Sequence, residues 1–184
     1  VTQVTKVDRR ILKSQEAIKH AVIELMSEKK FDDITVQDIA DRANVSRGTI
    51  YLHYLDKFDL LDKMIGEHIN EMKILCASTA DMEFAEANLP WFEYLEQNYL
   101  FFSTMLASKG AHSFRRQFHE FLIEEFKDEV NILEGKNYGL NGEIILQFIV
   151  TSYVGIVEWW ITNDMPYPPD VMAEQVGILL ERNL

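Results

Sequence analysis

The 184-residue chain has one cysteine, Cys76, so no disulfide can form within it. A lone cysteine among apolar residues reads as inert packing and fits a reducing, cytoplasmic compartment. Glycine and proline are scarce, at eight and four residues, and no long polar tract interrupts the chain. Disorder is therefore expected only at the extreme N-terminus. Residues Val1 to Lys13 carry no apolar core, so no secretory leader is expected. Alternating apolar and polar runs of strand length are missing, as are the turn dipeptides of hairpins, which leaves an all-α reading. Also missing are a glycine-rich phosphate loop, a Cys-x-x-Cys pair and a nucleophile elbow. No Glu-x-x-His repeat of a di-iron bundle occurs among the five histidines. His112 and His119, seven apart with Glu120 adjacent, are the nearest approach to a metal pair. No enzyme activity, metal or cofactor is expected; a helical enzyme or metal-binding protein is the first alternative.

Positive charge is short overall, with a net charge of -12, yet the shortage is uneven. Residues 1–54 hold nine Lys or Arg against eight Asp or Glu, a balance of +1. Residues 55–184 hold nine against twenty-two, a balance of -13. A near-neutral head on an acidic body can set a few cations against phosphates. It cannot wrap a long duplex by charge alone. The expected domains are accordingly 1–54, running into the helix that begins near Asp56, and 55–184.

What is present in the head is three helix starts in close succession. Thr35 with Asp38 three residues on forms a capping box, flanked by Ile34 and Ile39 at staple positions. Ser46 opens a second helix with Val45 and Ile50 as the staple pair, and Asp56 a third with Leu55 and Leu60. Asn44, a residue that tolerates left-handed geometry, sits in the turn between the first two. Two short helices joined by a tight turn, roofed by the helix from Asp8 to Lys29, are the sequence form of a helix-turn-helix. The second is too short to be stable alone. Its outer face, with Arg47, Gly48 and Thr49, is left for contact, and a helix of this size fits the DNA major groove. Arg47 suits guanine, Thr49 a thymine methyl or a polar edge, and Gly48 permits close approach. Thr35, Tyr51, His53, Tyr54 and Lys57 suit phosphates. Lys6, Arg9, Arg10 and Lys13 make a basic arm ahead of the head.

The body reads as five further helical stretches. They are Asp56 to about Ala77, one begun near Pro90 and continuing through Leu106, Ala111 to Ile132, Gly142 to Asn163, and Pro169 to Arg182. The stretch Ile144 to Ile161 is near the lower length limit of a membrane span. Gln147 and Glu158 interrupt it, and the expectation is a core helix with one side against a partner subunit, not a membrane segment. Val157, Trp160, Val176, Leu179 and Leu180 are the expected dimer contacts. Trp91, Phe92, Tyr99, Phe102, Phe118, Phe121, Phe148 and Tyr153 are the candidate lining of a mostly apolar ligand pocket, although any of them also serves as ordinary core.

From Arg10 to Met64 the head resembles the DNA-binding domain of the TetR family of bacterial one-component regulators. The residues that carry the resemblance are Ile18, Ala21, Phe31, Thr35 to Ile39, Ala43 to Ser46, Gly48-Thr49-Ile50-Tyr51, His53-Tyr54, Lys57 and Leu60-Leu61. Asn44 stands where the family more often has Gly, and Phe58 where Glu is frequent. The resemblance implies phosphate contacts at Thr35, Tyr51, His53 or Tyr54, and Lys57, and base reading at Arg47 and Thr49. It also implies a homodimer, a palindromic operator in double-stranded DNA, and a small effector, here apolar or amphipathic, whose binding releases a repressor from DNA. The body is similar to short-bodied members, including regulators near dihydroxyacetone utilisation genes. A regulator controlled by a protein partner, without a small-molecule effector, is the second alternative.

Overall fold

The computed structural model describes residues 6–107, 112–130 and 135–184, and every regular element among them is helical. In chain order these are α1 (Lys6–Glu28), a 3-10 turn (Phe31–Asp33), α2 (Val36–Ala43), α3 (Arg47–Tyr51) and α4 (Lys57–Ser78). There follow α5 (Phe84–Gln97), α6 (Tyr99–Ala107), α7 (His112–Phe126), a second 3-10 turn (Gly135–Asn137), α8 (Gly142–Thr162) and α9 (Pro169–Glu181).

The caps read from sequence set the short helices of the head. The Thr35 hydroxyl accepts from the Asp38 N–H, while the Asp38 carboxylate accepts from the Thr35 N–H at 2.8 Å. Asn44 then takes a left-handed conformation (φ 53°), and its N–H and that of Val45 both return to the carbonyl of Ala40. This stops α2 and reverses the chain within three residues. Ser46 accepts from the Thr49 N–H to open α3, and Asp56 Oδ1 accepts from the Phe58 and Asp59 N–H groups to open α4. Ile34, Ile39 and Ile50 are fully buried, as the staples require, but Leu55 is 82% exposed and cannot pack on Leu60. The aspartate cap fixes that entry without it.

The head is one compact unit, reaching as far as Glu67. Its core joins Ile18, Val22, Leu25 and Met26 of α1 to Phe31, Ile34, Ile39, Ile50 and Tyr54. Leu60, Leu61, Met64 and Ile65 complete it. The division from the second unit falls inside α4, between Glu67 and His68, because the first turns of that helix supply core to the head. The sequence reading set the domains at 1–54 and 55–184 and ran the head into the start of this helix.

The second unit runs over 68–107 and 112–184. Its largest change from the sequence reading is at Pro90. The proline lies inside α5, not near the start of a long helix, and the expected stretch to Leu106 is two helices. Asn98 makes the break: its amide donates to the Tyr94 carbonyl, and its own carbonyl accepts from Phe101 and Phe102 to begin α6. Helix α9 lies so close to α5 that a Cβ at Gly177 would stand 2.5 Å from both Ala85 Cα and Ala85 N. Asn141 caps α8 through the Glu143 and Ile144 N–H groups. After α8 two successive left-handed residues, Asp164 (φ 56°) and Met165 (φ 49°), turn the chain, and Trp160 Nε1–H donates to the Tyr167 carbonyl to hold the turn down. The expected helix Ala111 to Ile132 appears as α7, ending at Phe126; its last positions lie outside the described residues.

Candidate nucleic-acid interface and body cavity

α3 is held by its inward residue, Ile50, while Arg47, Gly48, Tyr51 and Leu52 face outward. The Arg47 guanidinium lies 5.9 Å from the centre of the Tyr51 ring and makes no ion pair or hydrogen bond among the described residues. Lys30 and the arm residues Arg9, Arg10 and Lys13 are likewise without an ion pair among the described residues, but four cations of the head are engaged. Arg42 pairs with Glu28 and Glu24, Lys29 with Asp38, Lys63 with Asp59, and Lys19 with Glu16 and Glu67. A Cβ on Gly48 would meet only Ser46 Oγ, at an ordinary 3.5 Å. The fold itself thus leaves room for a side chain there, and the open space is on the outer face. Thr49 is half-buried, its hydroxyl 2.9 Å from that of Ser46.

Three residues expected at phosphates are occupied otherwise. Lys57 Nζ donates to the carbonyls of Phe31 (2.9 Å), Asp32 (2.8 Å) and Ile34 (2.7 Å), which uses all three ammonium protons to close the end of the first 3-10 turn. The ammonium also lies over the Phe31 and Phe58 rings, at 5.0 and 5.2 Å. Tyr54 is 5% exposed, and burial pushes its phenol up; it is a core residue. The Thr35 hydroxyl proton goes to Asp38 Oδ2 at 2.8 Å. Hydrogen bonds from Thr35 and the Lys29 ammonium bring the Asp38 carboxyl down to about 2. Tyr51, 49% exposed, and the half-buried His53 remain on the outer surface. Of the basic arm, Arg9 and Arg10 are exposed; the Lys6 side chain lies outside the described residues.

In the second unit, a cavity of about 360 Å³ opens among α4, α5, α7, α8 and α9. Trp91 and Tyr153 line it, with Phe126, Leu122 and Leu180. Asn88 lines it too; it accepts from the Tyr153 hydroxyl at 2.7 Å and donates to the Phe84 carbonyl. The Trp91 Nε1–H, buried, has no hydrogen-bond partner. It lies near enough to the Cys76 thiol to favour the thiolate slightly, without reaching hydrogen-bonding geometry. Burial first, and the Glu125 carboxylate second, nonetheless push that thiol up to about 12, so Cys76 is a neutral wall residue.

The other expected pocket aromatics lie elsewhere. Phe92, Phe102, Phe118 and Phe121 are buried in core, with Phe118 stacked on Phe114 and on Trp91. Tyr99 donates to Asp164 Oδ1 at 2.9 Å near the surface. Phe148 is 62% exposed and borders a shallow groove of about 220 Å³ beside Leu179. Cys76, Asn88, Glu125 and Phe126 were not anticipated as lining. Asn88 offered the one legible signal, a polar residue on the otherwise apolar buried face of α5.

Of the expected dimer residues, Val157, Trp160, Val176 and Leu180 are buried within this chain's own core, whereas Leu179 is 47% exposed. The outward face of α8 is instead Ile144, Phe148, Ser152, Gly155 and Trp159, one stripe at helical spacing. α8 is also long and apolar enough to cross a membrane, although a third of that stretch is buried inside the protein. Among the described residues no three His, Cys, Asp or Glu side chains converge as metal ligands; the His112 side chain lies outside them.

A capped recognition helix on a three-helix head, followed by a helical bundle with its own cavity, defines a helix-turn-helix DNA-binding regulator. Residues 18–64 match the family model of bacterial regulatory proteins of the tetR family, and residues 83–182 match a model for a transcriptional regulator C-terminal region. The chain belongs to the TetR family of transcriptional regulators. It is 24% identical over 178 residues to an uncharacterized HTH-type transcriptional regulator, YxbF, of Bacillus subtilis; that match covers 92% of this chain but only 45% of the relative's length. It is 26% identical to the fatty acid metabolism regulator protein of the same organism, covering 87% of this chain and 90% of that one. Among solved structures, a TetR transcriptional regulator from Streptococcus agalactiae superposes with a TM-score of 0.70 at 26% identity, over 94% of this chain and 96% of that one. The fold also matches B. subtilis FadR in complex with stearoyl-CoA, with a TM-score of 0.65 at 21% identity over 92% and 98% of the two chains.

Proposed function

We propose that this protein is a homodimeric repressor that reads a palindromic operator through α3 and leaves it when a small apolar or amphipathic effector enters the body cavity. The observation that carries the reading is Arg47: an outward guanidinium on a short helix, over the Tyr51 ring and beside an open glycine, with no ion-pair or hydrogen-bond partner among the described residues. Arg paired bidentately with guanine is the commonest specific base contact, and an unpaired Arg is free to make it. Tyr51, His53 and the arm residues Arg9 and Arg10 supply the backbone contacts that set register. The role of Lys57 in this reading is to hold the head together.

Dimerisation joins the α8 stripe to its copy, with Leu179 of α9 at the margin. Gly155 lets two such helices approach closely, since a Cβ there would meet nothing of the subunit itself. Twofold symmetry then presents two recognition helices about 34–36 Å apart, one turn of DNA, or a multiple of it. A chromosomal operator places the protein in the cytoplasm. The effector acts through α4, a single helix that carries Lys57 at one end and the cavity residue Cys76 near the other.

The test begins with selection of the operator from random duplexes. Single-base variants of that operator are then titrated with wild type and Arg47→Ala at fixed salt. The variant is expected to lose about 1–3 kcal/mol of discrimination at one base position in each half-site. Unchanged preference at every position would remove Arg47 from base reading.

A further inference from the structure

The body cavity is acidic at its mouth. Asp81, Glu83, Glu125 and Glu129 all line it, and among the described residues no Lys, Arg or His does. None of the four carboxylates has an ion-pair partner among the described residues. Its interior is aromatic, and Trp91, 3% exposed, has its N–H beside the Cys76 thiol of the cavity wall, with no oxygen or nitrogen acceptor among the described residues. A thiol is a weak acceptor, and an oxygen acceptor brought by a ligand would satisfy this buried donor better. Carboxylates at a cleft rim focus a negative potential, and aromatic faces attract cations beyond their apolar area. An anionic headgroup meets repulsion here with no cation among the described lining residues to offset it.

We propose that the cavity takes a cationic amphiphile: an apolar tail against Trp91, Tyr153 and Phe126, an acceptor for the Trp91 N–H, and a positive head among the four carboxylates. This rests on the reading of the body as an effector-binding domain and adds the charge of the effector. It separates this chain from its relatives named for fatty acid metabolism, because a free fatty acid or an acyl-CoA carries the wrong charge for this mouth.

Three probes sharing one acyl chain isolate the head: decanoylcholine (cationic), N-methyldecanamide (neutral) and decanoate (anionic). They are titrated calorimetrically into the full chain below their aggregation concentrations, alongside stearoyl-CoA. Decanoylcholine should bind about tenfold or more tighter than the amide, with decanoate weakest. Added salt should weaken the choline ester alone. The double variant Glu125→Gln, Glu129→Gln should narrow decanoylcholine's advantage over the amide, Asp81 and Glu83 remaining, while leaving the amide's own affinity unchanged, which also shows the cavity still folded. Trp91→Phe should weaken all the acyl probes together. Decanoate or stearoyl-CoA binding as tightly as the cation overturns the proposal. So does a cation preference undiminished in the double variant, and so does the failure of every probe to bind. Operator release, followed by fluorescence anisotropy in parallel, keeps the two readings apart. Release by decanoate would overturn the cationic class and leave the ligand-released repressor standing. Tight decanoylcholine binding without release would do the reverse.

Discussion

Gly48 and Lys57 lie nine positions apart in the head and answer to different forces. A side chain at Gly48 meets only a hydroxyl at contact distance, and alanine is the better helix former by about 0.5–1 kcal/mol. Gly48→Ala is therefore expected to leave the melting temperature unchanged or slightly raised while weakening operator binding, because its methyl occupies the outer face. Lys57→Ala removes three hydrogen bonds to carbonyls, two of them part-buried. Leaving such acceptors unpaired costs about 1–3 kcal/mol, so this variant should melt several degrees lower. Thermal unfolding of both, set beside anisotropy on one operator, checks the pair. A Gly48→Ala protein that binds DNA normally, or a Lys57→Ala protein of unaltered stability, would contradict the assignment concerned.

Helix packing explains why the body holds an open cavity although its helices are tightly joined elsewhere. The α5–α9 contact is close enough that Gly177 has no room for a Cβ: the atoms it would meet are backbone, which cannot rotate away. Gly177→Ala must push the two helices apart, and overpacking of this kind costs about 1–3 kcal/mol. The loss should appear in urea denaturation as a lower midpoint with little change of slope. An unchanged midpoint would mean that the helices separate freely. Across the same bundle, Arg115 of α7 pairs with Glu158 of α8 at 2.9 Å, a half-buried bridge that positions the helices beside the acidic cavity without placing a positive charge in it.

At the scale of the whole molecule, the residues to alter are those the fold leaves outside. Charging Val157 would bury a charge in this chain's own core and unfold it, so it reports nothing about association. Phe148→Glu with Leu179→Glu charges two exposed positions instead. The double variant is expected to keep its helical content and to sediment as a monomer, with operator affinity falling sharply because both half-sites are no longer held together. A persistent dimer would place the interface on another face. Ligand control must also be reciprocal: an effector that weakens operator binding by some factor is itself bound more weakly, by that factor, when operator is present.

The helix-turn-helix was legible because its signals are local. Thr35, Asp38, Asn44 and Ser46 act on backbone groups within a few residues, so their identity and spacing determine the caps wherever the rest of the chain goes. The all-α class and the outward Arg47 were readable for the same reason, since helical period sorts inner from outer residues once Ile50 is the anchor. Long-range partners were not readable. Lys57 reaches carbonyls 23 to 26 residues away, and a free lysine and an engaged one look alike in sequence. Nor could sequence tell which aromatics of the body face a cavity. α8 is apolar on most sides, so its period does not separate Val157, turned inward, from Phe148, turned out. That sorting is made by which helices pack against it. Tertiary packing likewise gathers Cys76, Asn88, Trp91, Glu125 and Tyr153 around one space from four separate helices, because the close approach of α5 and α9 at Gly177 is a property of two surfaces and belongs to neither helix alone.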